Sequence, residues 1–316
     1  MARAGGKVIL FGEHGVVFGR PALAAGLSTG ATAELVRDGA ALSVARLSVE
    51  PWGVTVDAIA PAYSQHGAAQ DAPVATNQLA HAFGAIVHAY EKPPALHVRV
   101  RMELPSGAGL GGSAALSVAI VRAFDEELGI TRTPSEVADI ALGAERVFHG
   151  NPSGVDTAMA AAGGVAVYRK GQPLEIVRVK GSVTLVVGHS GEPGMTKETV
   201  ASVGRQHAQK PEKVEQIFAG MEAIVNNGKS ALERGDLDSL GQLMELNQKL
   251  LVTLVLSTPR LEEMCTVAVM AGALGAKLTG GGGGGCMIAL VADDASAVQV
   301  RDALRALGRE AFITMV

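Results

Sequence analysis

Large aromatic side chains are scarce in this sequence: one Trp, three Tyr and seven Phe make up 3% of it. Shape must therefore come from aliphatic packing and close backbone approaches, and 40 glycines serve the second. Cysteine is almost absent. Cys265 and Cys286 have no metal-ligand spacing and form no framework of bridges, so they read as two buried thiols, and a disulfide-stapled or zinc-ribbon class is excluded. No run reaches the roughly 18 apolar residues of a membrane span, and Met1 to Gly6 lack the apolar segment of a secretory signal, so a cytoplasmic protein with no membrane partner is expected. Nor is there an excess of basic residues: a net charge of −4 argues against general nucleic-acid binding. What is there is 48% hydrophobic residues and only 18% charged ones across 316 positions, enough for a substantial core and two domains. The boundary is expected near Lys180, giving 1–180 and 181–316.

The most informative stretch is Glu103-Leu-Pro-Ser-Gly-Ala-Gly-Leu-Gly-Gly-Ser-Ala-Ala115. Before it, Leu96, Val98, Val100 and Met102 alternate with polar residues, the period of a half-buried strand that Pro105 ends. After it, Leu116, Ile120, Phe124 and Leu128 recur every fourth residue, so a packed helix should begin near Ser113. The first N–H groups of such a helix have no internal partner and carry the positive end of its dipole. Gly107, Gly109, Gly111 and Gly112 let the backbone approach an anion closely. The loop matches G-x-G-x-x-G, but the dinucleotide fold needs a strand and an acidic residue about 20 positions on, where Thr133 to Phe148 reads as a helix. A Walker loop needs Lys where Gly112 stands. The spacing thus points to a nucleotide phosphate site of another kind, against the alternative of a bare strand-to-helix connection.

Elsewhere, Gly6 to Pro21 starts with a short apolar strand bracketed by Lys7 and Gly12-Glu13-His14. Beta-prone segments at 31–36, 42–49 and 52–59 suggest an antiparallel sheet, followed by an exposed loop over 60–73 and a helix over about 75–90. Thr133-Pro134-Ser135-Glu136 is a capped helix start. Glu145 lies about 80° from the centre of that helix's apolar stripe, so it faces inward, where a carboxylate needs a cation, a metal or a hydrogen-bonded partner. Asn151 should cap the next helix, with Asp156 in its first turn and kept ionised by the dipole. Strands follow near 165–168, 174–179 and 183–188, and then long amphipathic helices, one of which carries Asn247 inside its apolar stripe. Gly280 to Gly285 join two core-like strands, which favours a loop wrapped against a ligand or another backbone over a flexible linker.

Together, Gly6 to Gly19, Leu104 to Ala115 and Lys277 to Cys286 resemble the three ordered motifs of the GHMP kinase superfamily. Lys7 to Gly19 and Glu145 to Asp156 look like its mevalonate kinase branch. The resemblance implies an α+β fold of two domains, an N-terminal mixed α/β domain with the phosphate loop and a ferredoxin-like C-terminal domain. It implies ATP, Mg²⁺ and mevalonate as reactants, with no nucleic acid and with room for a homodimer. By the same resemblance, Ser113 and Glu145 would hold Mg²⁺, Asp156 would receive the proton of the primary hydroxyl, and Lys7 would sit beside Asp156. His14 and Thr196 would contact mevalonate. Gly107, Ala108, Gly109, Leu110, Gly111, Gly112 and Ser113 would cradle the ATP phosphates. Two positions depart from the branch's usual pattern: Gly112 stands where Ser is common, and Gly281 where Ala is common. The rival readings are another GHMP small-molecule kinase such as a phosphomevalonate kinase, a catalytically inactive sensor with this fold, and a dinucleotide-dependent oxidoreductase.

Overall fold

Several helix starts can be traced to local chemistry, the side chains of Thr133, Asp236, Thr258 and Asp293 each accepting from a first-turn N–H. A computed structural model describes residues 1–36, 43–59, 74–91, 95–105, 107–150 and 152–316. The expected loop over 60–73 and the expected cap Asn151 lie outside the described residues. The chain divides into two compact units, each built from non-consecutive segments. The first is Met1–Gly6, Thr29–Leu104 and Gly111–Gly163; the second is Lys7–Ser28, Pro105–Leu110 and Gly164–Val316.

Strands β1 (Ala2–Phe11) and β2 (Ala22–Leu35) both pass from one unit into the other and pair with each other. In the first unit, β2 pairs through Ala31 to Leu35 with β5 (His97–Met102), beyond which lie β3 (Arg46–Glu50) and β4 (Val54–Asp57). The β2–β5 and β3–β4 pairs are antiparallel as expected, but β3 and β5 run parallel. Alternation within a strand fixes which face is buried and says nothing of its neighbour. The long connection through helix α1 (Val74–Val87) lets the chain re-enter the sheet in the sense of β3.

Helices α2 (Gly112–Leu128), α3 (Pro134–His149) and α4 (Val155–Ala162) complete this unit. Its core is a cluster of Val, Ala, Leu and Phe that includes Leu47, Phe83, Val98, Val118 and Phe124. The capping box of α3 forms: the Glu136 N–H donates to Thr133 Oγ1 at 3.3 Å and the Thr133 N–H to Glu136 Oε2 at 2.7 Å. Helix α4 starts later than the sequence suggested, because Gly154, at φ 88°, is its cap.

In the second unit, Ala22 to Ala25 of β2 pair with β6 (Val165–Tyr168), which pairs in turn with β7, only Glu175–Ile176. A four-stranded antiparallel sheet has the order β11-β8-β10-β9, from β8 (Thr184–His189), β9 (Gly275–Thr279), β10 (Cys286–Val291) and β11 (Glu310–Met315). Helices α5 (Thr196–Gln209), α6 (Pro211–Arg234), α7 (Leu237–Thr253), α8 (Pro259–Met270) and α9 (Asp294–Ala306) belong with it. Here Val186, Phe218, Met221, Leu251, Met264 and Leu278 form the core. No helix among the described residues is long and apolar enough to cross a membrane.

One contact in this unit sets the seat of α7. A Cβ on Gly241 would collide with the Leu274 carbonyl oxygen, and one on Gly275 with the Gly241 carbonyl oxygen. The backbones of α7 and β9 therefore meet without side chains between them, which brings Asn247 and Gln248 up to the strand. Because the obstacle is backbone, Gly241→Ala should destabilise the protein by about 1–3 kcal/mol, the usual cost of overpacking. Urea unfolding of that variant, compared with Gly204→Ala, whose added Cβ meets nothing within 4 Å, checks this.

Candidate active site

The predicted site residues fall into two groups. Ser113, Glu145 and Asp156 lie in the first unit, and Lys7, His14, Thr196 and the loops 107–110 and 280–285 in the second.

In the first unit, α2 begins at Gly112 after Gly111, a cap with φ 72°, which places Ser113 in the opening turn. Glu145, on the inner face of α3, is 1% exposed, as its place on the wheel required. Between them lies a residue to which the sequence reading gave no role. His149 Nε2 is 3.4 Å from Ser113 Oγ and 3.6 Å from Glu145 Oε2. The available signal was its place four residues after Glu145 on one helix face. Asp156 is half-buried in the first turn of α4. A hydroxyl and a carboxylate are the hard oxygen donors that Mg²⁺ takes, and two protein oxygens leave room for phosphate and water. Among the described residues no three His, Cys, Asp or Glu side chains cluster as a metal cage. The donor set thus fits a cation shared with a phosphate ligand.

In the second unit the glycine-rich loop after Pro105 alternates. Gly107 and Gly109 have φ of 70° and 75°, while Ala108 and Leu110 bury their side chains. A Cβ on either glycine would meet nothing within 4 Å, so glycine is needed here for its backbone conformation rather than for space. Lys7, 5% exposed, takes two carbonyls of the loop: its Nζ donates to Gly109 O at 3.1 Å and its backbone N–H to Leu110 O at 2.8 Å. A trans peptide points its N–H opposite to its C=O, so this arrangement turns the Leu110 and Gly111 amides away from Lys7.

The Gly12-Glu13-His14 turn is held from below. Glu13 and Lys277 form a fully buried ion pair, with both side chains 0% exposed. Asn247 Nδ2 donates to the other Glu13 oxygen at 3.0 Å, and Lys277 Nζ also donates to Leu278 O at 2.6 Å. Burial pulls the Lys277 ammonium below its ordinary pKa, and Glu13 works in the opposite direction. Beside this pair, Thr279 Oγ1 donates to Ile9 O at 3.0 Å and accepts from the Ile9 N–H at 2.9 Å, and Gln248 Oε1 accepts from the Leu278 N–H at 2.9 Å. The end of β1 is thereby fastened to β9, the strand that enters the six-glycine loop.

His14 rises from this base in a left-handed conformation, φ 61°. Its Nε2 lies 2.8 Å from Gly281 O. A carbonyl only accepts, so Nε2 carries the proton. Burial pushes the imidazole pKa below its usual value, partly offset by that hydrogen bond, which favours the neutral ring. Nδ1 is then an acceptor, buried and with no hydrogen-bond partner among the described residues.

The glycine run is a packed loop. Gly280, Gly282, Gly283, Gly284 and Gly285 all have positive φ. A Cβ on Gly285 would stand 3.4 Å from Ala108 O, and one on Gly280 3.5 Å from Gly109 O. A Cβ on Gly282 would strike the Leu256 carbonyl, and one on Gly281 the Thr196 hydroxyl. Thr196, exposed at the start of α5, therefore lies directly against the residue whose carbonyl holds His14.

Two outcomes follow from this geometry. Lys277→Met leaves Glu13 charged and buried, so it should cost about 3–5 kcal/mol in urea unfolding, and Glu13→Gln combined with Lys277→Met should recover part of that loss. Gly281→Ala should displace the Thr196 hydroxyl, and its loss of stability in urea unfolding should be smaller than that of Lys277→Met.

Residues 68–164 match the model of the GHMP kinases N terminal domain, and residues 229–310 that of the GHMP kinases C terminal. A mevalonate kinase from Pyrococcus furiosus is 35% identical over an alignment that covers 100% of this chain and 96% of that protein. The crystal structure of L. major mevalonate kinase in complex with R-mevalonate superposes with a TM-score of 0.82 at 29% identity, covering 99% of this chain and 94% of that one. A Streptococcus pneumoniae phosphomevalonate kinase with phosphomevalonate and AMPPNP shares the fold, with a TM-score of 0.78 at 17% identity over 99% of each of the chains. The family models and the full-length relative rule out the dinucleotide-dependent oxidoreductase. The two-domain α+β architecture, the glycine loops and the full-length likeness lead to one assignment: the chain belongs to the GHMP kinase family and is an ATP-dependent small-molecule kinase.

Proposed function

We propose that this kinase phosphorylates the primary hydroxyl of mevalonate, giving 5-phosphomevalonate and ADP. The observation that carries the proposal is His14. It is a neutral, buried imidazole with an unused acceptor, held on Gly281 O beside Thr196, and so suited to a substrate hydroxyl. The full-length likeness to proteins named mevalonate kinase supports the choice of acceptor.

The hydroxyl oxygen of mevalonate attacks the γ-phosphorus of ATP, the bond from that phosphorus to the β–γ bridging oxygen breaks, and the hydroxyl proton passes to Asp156. Because transfer proceeds through a loose transition state, much of that proton moves late, and Asp156 also orients the hydroxyl and balances charge. Lys7, fixed by its hydrogen bonds to the phosphate loop, supplies a cation. The amides of residues 107 to 113 cradle the phosphates. Ser113 and Glu145 would hold a magnesium ion, which when bound would neutralise phosphate charge.

A coupled ADP-release assay across mevalonate, phosphomevalonate, galactose and homoserine tests the acceptor. Turnover on mevalonate alone is expected, and preference for phosphomevalonate would overturn the proposal. Asp156→Asn should lower turnover about a hundredfold or more with ATP affinity little changed. Glu145→Gln should raise the Mg²⁺ concentration needed for half activity, and an unchanged Mg²⁺ dependence would remove Glu145 from the metal site.

A further inference from the structure

The second unit contains a cavity of about 430 Å³ whose wall includes Pro105, His189, Arg305, Arg309, Glu310 and Phe312. None of these residues belongs to the machinery assigned above. The strand ends and one helix end deliver them. His189 closes β8, in register with Cys286 of β10 on one side and Glu310 of β11 on the other. Arg305 lies in the last turn of α9, and Gly308, with φ 72°, turns the chain so that Arg309 precedes β11.

The two arginines differ in how they are used. Arg305 donates from Nε and Nη2 to Ala311 O, at 3.1 and 2.9 Å, which ties the turn together and leaves Nη1 over. Arg309 makes no side-chain hydrogen bond or ion pair among the described residues, and its Nε is buried without an acceptor. His189 Nε2 is likewise buried without a partner. Glu310, exposed on the same wall, forms no ion pair with either arginine. The wall thus carries two guanidinium groups and an imidazole against one carboxylate. Orphaned buried polar atoms are exceptions in folded proteins and point to a missing polar partner. A planar guanidinium fork matches the geometry of a carboxylate or phosphate. The volume suits a small molecule.

We propose that this cavity is a binding site for the oxyanion group, phosphate or carboxylate, of a small molecule, received by Arg309, Arg305 and His189. The site adjoins the glycine loop through the backbone. The Ser190 N–H, next to His189, donates to Gly285 O at 2.9 Å, and the Gly285 N–H to Glu192 O at 2.8 Å. A bound oxyanion would rest against the strand end that holds that loop.

The test is an NMR titration of the intact protein under saturating MgATP, so that the phosphate loop is already occupied. The His189 imidazole resonance, assigned with His189→Gln, is followed with inorganic phosphate and, separately, with acetate. A saturable shift with either anion is expected, and which of the two binds more tightly identifies phosphate or carboxylate as the recognised group. Arg309→Gln should weaken that binding at least tenfold, and Arg309→Lys, which keeps the charge and the fold but loses the fork, by less. Arg301→Gln, which removes a guanidinium paired with Asp302 outside the cavity, should leave binding unchanged. No saturable shift with either anion, or equal affinity in wild type, Arg309→Gln and Arg309→Lys, would overturn the proposal.

Discussion

The buried pair of Glu13 and Lys277 is the constraint on which the second unit's site depends. Two opposite charges with no exposed surface are tolerated only when their remaining hydrogen-bonding capacity is used. Here Asn247 takes the second carboxylate oxygen and the Leu278 carbonyl takes an ammonium proton. Satisfying the pair brings together three elements far apart in sequence: the turn after β1, the strand entering the glycine loop, and α7. The direct contact of Gly241 with Gly275 makes this possible, because any side chain between α7 and β9 would hold Asn247 away from Glu13.

That base explains the strained conformation above it. A histidine at φ 61° is disfavoured unless its surroundings over-determine it. The ion pair fixes the residue before His14, and the Gly281 carbonyl fixes its ring. The result is an imidazole whose tautomer is set by the protein, with one acceptor nitrogen uncommitted. The glycine loop has its own reason for composition. Four of its residues would place a Cβ against the Thr196 hydroxyl, the Leu256 or Pro193 carbonyls, or the side chains of Met195 and Thr199, so the run is small because it is packed. The same loop approaches the carbonyls of Ala108 and Gly109, while Lys7 holds Gly109 and Leu110. Lysine, histidine and two glycine-rich loops thus form one connected support within this unit.

Much of this was legible in the sequence because it rests on local rules. The capping box of α3 depends on four neighbouring residues, and it forms as read. The inward Glu145 follows from helical periodicity, and the packed glycine loop from the strands around it. What was not legible depends on partners distant in sequence. Nothing near Glu13 reveals Lys277, which is 264 residues away, and nothing in the alternation of β3 reveals that β5 lies beside it in parallel. The first half of β2, from Ala22 on, is buried on both faces, so no two-residue period marks it in the sequence. Asn247 was visible as a polar residue in an apolar stripe, but its partner was not. A histidine near a helix end has many ordinary uses, and only the fold brings His149 between Ser113 and Glu145.

His14 is a neutral acceptor held over the Glu13–Lys277 base. The most direct measurement is a high-resolution structure of the protein with R-mevalonate and a non-hydrolysable ATP analogue. A mevalonate hydroxyl is expected within about 3 Å of His14 Nδ1, with the Gly281 carbonyl still accepting from Nε2. Mevalonate bound elsewhere, or His14 Nδ1 facing no substrate oxygen while the Glu13–Lys277 pair is intact, would contradict it.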